Sequence, residues 1–98
     1  MSVSIATGPK NGVSLRGILP EAEFLGTDDL TIRSCVGELR ECQSADLFVA
    51  IVGAERDGHE DVLQAIQRGA IGVVTERLLP VNVPQCLVAD SRIAYGKI

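Results

Sequence analysis

A chain of 98 residues, 46% hydrophobic and 22% charged, has room for one globular domain with a modest aliphatic core, because only one Tyr and two Phe are present. Its formal charge of -4 and pI near 4.8 exclude the basic face that a nucleic-acid backbone requires. Three cysteines without CxxC spacing and a single His support neither a disulfide framework nor a zinc site, and no segment reads as a membrane span or targeting signal, so a cytoplasmic protein with reduced thiols is expected.

Met1 to Gly12 mix Ser, Thr, Gly, Pro and Asn without periodicity and read as a flexible lead-in to a domain over residues 13–98. Ser14 is placed to cap a short helix with Leu15, Ile18 and Leu19 on one side, and Pro20 stops it. Ala22 to Leu25 and Leu30 to Val36 flank the turn-forming run Gly26-Thr27-Asp28-Asp29 and predict a half-buried strand pair, with Cys35 facing away from Leu30, Ile32 and Val36. Gly37 to Asp46 lacks an apolar period and reads as an exposed connection, which makes Cys42 the exposed thiol.

Leu47-Phe48-Val49-Ala50-Ile51-Val52 is a continuous apolar run, the pattern of a strand covered on both faces at the centre of a parallel sheet. The polar loop Gly53 to Gly58 leads to a helix from His59 to Arg68, with Asp57 as cap and Glu60 and Asp61 in its positive first turn. Val62, Leu63 and Ile66 form its apolar stripe, and Gly69 marks its end. Ala70 to Val74 then closes a strand-helix-strand unit, expected to be a right-handed crossover. Pro80 and Pro84 bracket a loop, Cys86-Leu87-Val88 reads as a third core strand, and Asp90 caps a helix from Ser91 that runs to Ile98, as in a fragment of a longer chain. The fold class is α/β, a small mainly parallel sheet with a βαβ crossover unit.

The loop Gly53 to Gly58 lies where parallel sheets commonly bind ligands and where free N–H groups attract anions, although an ordinary βα turn has the same pattern. Neither GxGxxG nor a GxxxxGKS/T loop occurs, so a nucleoside triphosphate site is not indicated in this chain. His59 has the chemistry for anion binding or proton transfer, yet without a paired Ser or Cys it reads as a solvent-facing or capping residue. Asp28-Asp29 fits a turn and Glu60-Asp61 fits a helix start, so no metal ligand, catalytic residue or resident cofactor is assigned.

Asp46-Leu47-Phe48-Val49-Ala50, then Gly53, then Asp57-Gly58-His59, a helix ending Arg68-Gly69-Ala70, and Val73-Val74-Thr75-Glu76 together resemble the N-terminal domain of the Mur ligases. The segment Val88-Ala89-Asp90-Ser91-Arg92-Ile93-Ala94 is similar to the exit of the MurE type, UDP-N-acetylmuramoyl-L-alanyl-D-glutamate ligase, more than to that of MurF. The resemblance covers Ser14 to Ile98. It implies a domain that holds the UDP end of UDP-N-acetylmuramoyl-dipeptide in peptidoglycan synthesis and is not catalytic alone. The parent's ATPase and C-terminal domains would supply ATP, Mg2+ and amino-acid selection. The substrate-binding residues implied are Gly37, Glu38, Leu39, Arg40, Gly53, Ala54, Glu55, Arg56, Asp57, Gly58 and His59. Where the family usually places Asp-Ser-Arg, this chain has Glu38-Leu39-Arg40. That departure motivates the alternative, a non-enzymatic packing or interaction domain that kept the fold and lost uridine binding.

Overall fold

The computed structural model describes residues 12–98, so the lead-in expected over residues 1–12 lies, apart from Gly12, outside the described residues. In chain order the elements are β1 (Val13–Ser14), α1 (Leu15–Ile18), β2 (Glu23–Leu25), β3 (Thr31–Ile32), β4 (Cys35–Val36), β5 (Leu47–Val49), α2 (Val62–Gln67), β6 (Gly72–Thr75), β7 (Gln85–Leu87) and α3 (Ser91–Lys97). Two 3-10 turns, Leu39–Glu41 and Gly58–Asp61, lie between them. One sheet has the order β2-β7-β6-β5-β4, and β1 pairs with β3 in a separate ribbon. Strands β4 to β7 are parallel and β2 joins antiparallel to β7, the mainly parallel α/β sheet that the sequence predicts.

The continuous apolar run supplies an interior strand, β5, covered on both faces, although the centre of the five-stranded sheet is β6 and the strand ends at Val49, short of the expected Val52. Leu47, Val49 and Val74 pack with Leu15, Leu19, Ile32, Cys86 and Ala94 on one side. Phe48, Ala50 and Val73 pack with Cys42, Val62, Ala65 and Ala70 on the other. Successive strand side chains point to opposite faces, so an uninterrupted apolar sequence is what two-sided burial requires. Helices α1 and α3 therefore serve one face, and α2 the other.

Asp57 starts the chain's turn toward α2 by accepting a hydrogen bond from the His59 amide. The turn is 3-10 over Gly58–Asp61, and the α-helix begins only at Val62, later than His59. Its inward side chains are Val62, Ala65 and the partly buried Ile66; Leu63, expected on that stripe, is 65% exposed. A position next to Val62 is turned about 100° away from it, while Ala65 and Ile66 return to the same face. Gly69 ends the helix at φ 102, and a Cβ there would lie 2.9 Å from the Ser44 Cα. Only glycine meets both conditions cheaply.

The N-terminal third departs from expectation. Segments 22–25 and 30–36 do not pair with each other: β2 pairs with β7, and β3 pairs with β1. The run expected to be a hairpin turn is instead drawn toward α1 by Asp29, whose carboxylate accepts from the Ser14 hydroxyl and from the amides of Arg16 and Leu30. Ser14 also accepts from the Gly17 amide, confirming it as the α1 cap. Cys35 packs on the same core as Ile32, contrary to the expected alternation, because Arg33 and Ser34 separate β3 from β4. Segment 37–46 is not a plain exposed connection: Leu39–Glu41 form a turn that brings Cys42 inward to 3% exposure, its thiol directed at the Ala65 carbonyl. The thiol expected to be exposed is buried. Among the described residues no helix is long and apolar enough to cross a membrane.

Candidate functional site

Because β4 to β7 are parallel, the loops that follow them emerge along one edge of the sheet, the edge where such sheets place ligands. The loops after β4 and β5 enclose a groove of about 610 Å³. Seven of the expected residues line it: Gly37, Glu38, Leu39 and Arg40 from the first loop, and Gly53, Arg56 and Gly58 from the second. Ala54 and Glu55 are exposed but outside the lining; Asp57, half-buried, and His59, buried, are outside it as well.

The wall after β4 is a single turn held by Glu41 and Cys42 amides donating to the carbonyls of Glu38 and Leu39, at 3.1 and 3.0 Å. Leu39 packs partly against the second core. Arg40 Nε donates to Glu38 Oε1 at 2.8 Å, with both side chains mostly in solvent, so this pair contributes little to stability.

The wall after β5 is tighter. The Gly53 amide donates to the Arg56 carbonyl at 2.8 Å, the Gly58 amide donates to the Ile51 carbonyl at 2.8 Å, and Val52 bridges Asp57. A Cβ at position 58 would stand 2.7 Å from the Ile51 nitrogen, so the backbone approach itself demands glycine.

Three guanidinium groups and two carboxylates surround the space. Arg56 Nη2 pairs with Asp61 Oδ2 at 2.8 Å. Arg68, at the end of α2, approaches the carbonyls of Arg40 and Cys42 at 3.4 and 3.5 Å, which draws the helix end against the β4 wall. Arginines at the edge of a groove offer planar, multidentate donors to phosphate or carboxylate oxygens.

Behind the second wall, the His59 side chain is 1% exposed, which corrects the solvent-facing reading. Its Nδ1 lies 2.6 Å from Asp57 Oδ1, and its Nε2 accepts from the Glu76 amide at 2.9 Å. Arg77 Nη1 holds the second Asp57 oxygen at 3.1 Å. The His59 amide, then the His59 ring and Arg77, stabilise the Asp57 carboxylate and hold its pKa down at about 2. Burial pushes the thiols of Cys35 and Cys42 up and that of Cys86 up to about 11, so none is poised as a thiolate nucleophile. Among the described residues no group of three or more His, Cys, Asp or Glu is arranged to hold a metal ion.

No family model matches the chain. It is 40% identical over 75 residues, 74% of its length, to the UDP-N-acetylmuramoyl-tripeptide--D-alanyl-D-alanine ligase of Synechocystis sp.. It is also 40% identical over 86 residues, 88% of its length, to a UDP-N-acetylmuramoyl-L-alanyl-D-glutamate--2,6-diaminopimelate ligase from Halalkalibacterium halodurans. A crystal structure of MurF from Acinetobacter baumannii shares the fold at a TM-score of 0.75 over 89% of this chain and 20% of that one, with 23% identity. This is a Mur ligase N-terminal domain. It spans only 16% and 18% of the two relatives' lengths.

Within this Mur ligase domain, the sequence located both groove loops but missed Ile51, Asp61 and Arg68 in the lining. Asp61 and Arg68 reach the groove from the crossover helix and its 3-10 entry, which fold back beside the loops; their helical spacing of seven, two turns on one face, was the available signal. The His59 network was missed because its partner is a backbone amide seventeen positions away, which no side-chain motif reveals.

Proposed function

We propose that this groove holds the uridine diphosphate end of UDP-N-acetylmuramoyl-dipeptide, as part of a cytoplasmic MurE-type ligase of peptidoglycan synthesis. The observation that carries the reading is the convergence of Arg40, Arg56 and Arg68 on one groove between the two loops that the resemblance assigns to the substrate. A diphosphate presents several charged oxygens, and guanidinium groups meet them with paired donors. The exit segment from Val88 to Ala94 supports MurE over MurF. In this reading ATP and Mg2+ belong to other domains of the parent ligase, since the chain has neither a GxxxxGKS/T loop nor, among the described residues, a metal-ligand cluster.

Leu39 favours a second reading. Its side chain packs toward the core and has no hydroxyl to offer a uracil carbonyl, as a packing or interaction module that had lost the nucleotide would show. Calorimetric titration with UDP-N-acetylmuramoyl-dipeptide separates the two. Binding that weakens about tenfold in Arg68→Ala and in Arg56→Ala, and that falls with added salt, supports the substrate groove. An absence of heat at millimolar ligand, or affinity indifferent to both substitutions, supports the packing module.

A further inference from the structure

The Asp57-Gly58-His59 segment does more than start a helix. Its imidazole is enclosed, with 1% of the side chain exposed, and both ring nitrogens are engaged. An amide can only donate, so the 2.9 Å contact from the Glu76 N–H requires a lone pair on Nε2. The ring proton must then sit on Nδ1, facing Asp57 Oδ1.

The hydrogen bonds continue past the ring. Glu76 turns its carboxylate to the amide of Ser91, the first residue of α3, at 2.7 Å. Ser91, itself 0% exposed, accepts at Oγ from the amide of Val52 at 2.9 Å. Val52 bridges Asp57 and directly precedes Gly53 of the groove wall. The path is therefore closed: His59 to Glu76, to Ser91, to Val52, and back through Asp57. It joins the ends of β5 and β6 to the start of α3.

We infer that His59 is a positioning residue and a proton-sensitive latch, which in its neutral Nδ1–H form fixes the groove loop of residues 53–58 to α3 and on protonation releases it. A second proton would occupy Nε2 and point at the Glu76 N–H. Donor would face donor in a site closed to water, so the ring or the Glu76 backbone must move. The charged groups around the ring are accounted for. Asp57 Oδ1 faces Nδ1, and Arg77 donates to the other Asp57 oxygen. Glu60 is exposed, Asp61 is paired with Arg56, and the Glu76 carboxylate is committed to Ser91. On α3, Asp90 accepts from the amides of Arg92 and Ile93. The effect on a bound nucleotide rests on the proposed groove function; the latch does not, and its test uses no ligand.

The test is nitrogen-15 NMR of the unliganded 98-residue chain, following the imidazole and the backbone amides as the pH is lowered from about 8 until the ring takes up its second proton; a ring still neutral when the domain unfolds would overturn the latch. The expected result is an Nδ1–H tautomer at the upper end. The amides of Val52, Arg56, Glu76 and Ser91 then shift with the midpoint of the imidazole, and the protection factor of the Glu76 amide falls about tenfold. In His59→Gln the shared midpoint disappears. An Nε2–H tautomer, a Glu76 amide unmoved through the imidazole titration, or a shared midpoint that survives in His59→Gln would overturn the latch. Should His59→Gln fail to fold, the wild-type tautomer and amide titration decide the question alone.

Discussion

The two walls of the groove are built in different ways. The wall after β5 is anchored in the interior: Gly58 lies against the backbone of residues 50 and 51, and Asp57 and His59 tie it to Glu76 and Arg77. The wall after β4 is a short turn with no side-chain cap, whose one ion pair, Glu38 with Arg40, stands in solvent. One wall is held by buried directional bonds, the other by local backbone geometry, the partial burial of Leu39 and the long contacts of Arg68 with the Arg40 and Cys42 carbonyls. A rigid wall sets the position of a ligand, and a looser one can adjust to its shape. The difference also predicts where substitutions disturb the domain and where they alter only what it binds.

The sharpest break in this contrast is Gly58→Ala. The added methyl must displace backbone 2.7 Å away, so a loss of about 1–3 kcal/mol is expected in urea unfolding. An unchanged midpoint would mean that the wall is not fixed by this approach.

Asp57→Ala comes next. Removing the cap that accepts from the His59 amide should cost about 1 kcal/mol in the same measurement. Because the folded-state pKa of Asp57 is depressed to about 2 from 3.8, its contribution is fully present above the unfolded value and is lost as pH falls through the folded one. Wild-type stability should therefore decline between pH 3.8 and about 2, with a smaller slope in Asp57→Ala. Asp29 adds to the same acid dependence: hydrogen bonds from the Ser14 hydroxyl and then the Arg16 amide lower its pKa. Asp29→Asn should leave that second component out and increase amide exchange in residues 13–32 before it affects β5 or β6.

Glu38→Gln should have the smallest effect on stability, within about 0.5 kcal/mol, because the Arg40 pair is exposed. Its value lies in binding. Freed of a competing carboxylate, Arg40 should hold an anionic ligand more tightly, by a few-fold at low salt and less at high salt. A stability loss as large as that of Gly58→Ala would erase the distinction between the walls.

Much of this architecture was legible where a residue's burial follows from local pattern. Leu47 to Ala50, the Asp57 and Asp90 caps and the Gly69 stop each follow from two-sided burial, an N-cap or a positive φ, whereas Ile51 and Val52, read into the same strand, are half-buried beyond its end at Val49. The N-terminal pairings were not legible, because β1 and β3 are only two residues long and Asp29 redirects the intervening turn through hydrogen bonds to α1. Cys42 looked exposed among charged neighbours, but the 3-10 turn rotates one residue inward without any helical period to announce it. For the groove, the sequence identified the loops; the spacing of Asp61 and Arg68 places them on one helix face, but that this face meets the groove depends on how α2 returns across the sheet.

The most direct measurement is chemical-shift mapping of the labelled domain with UDP-N-acetylmuramoyl-dipeptide, comparing this groove with a second concavity. That other cavity, about 270 Å³ and lined in part by Leu19, Pro20, Val88, Ile93 and Lys97, lies elsewhere on the domain. A substrate groove gives saturable shifts at Gly37, Leu39, Gly53, Arg56 and Arg68, with Ile93 and Lys97 unmoved. Shifts confined to Ile93 and Lys97, or none at millimolar ligand, would contradict it.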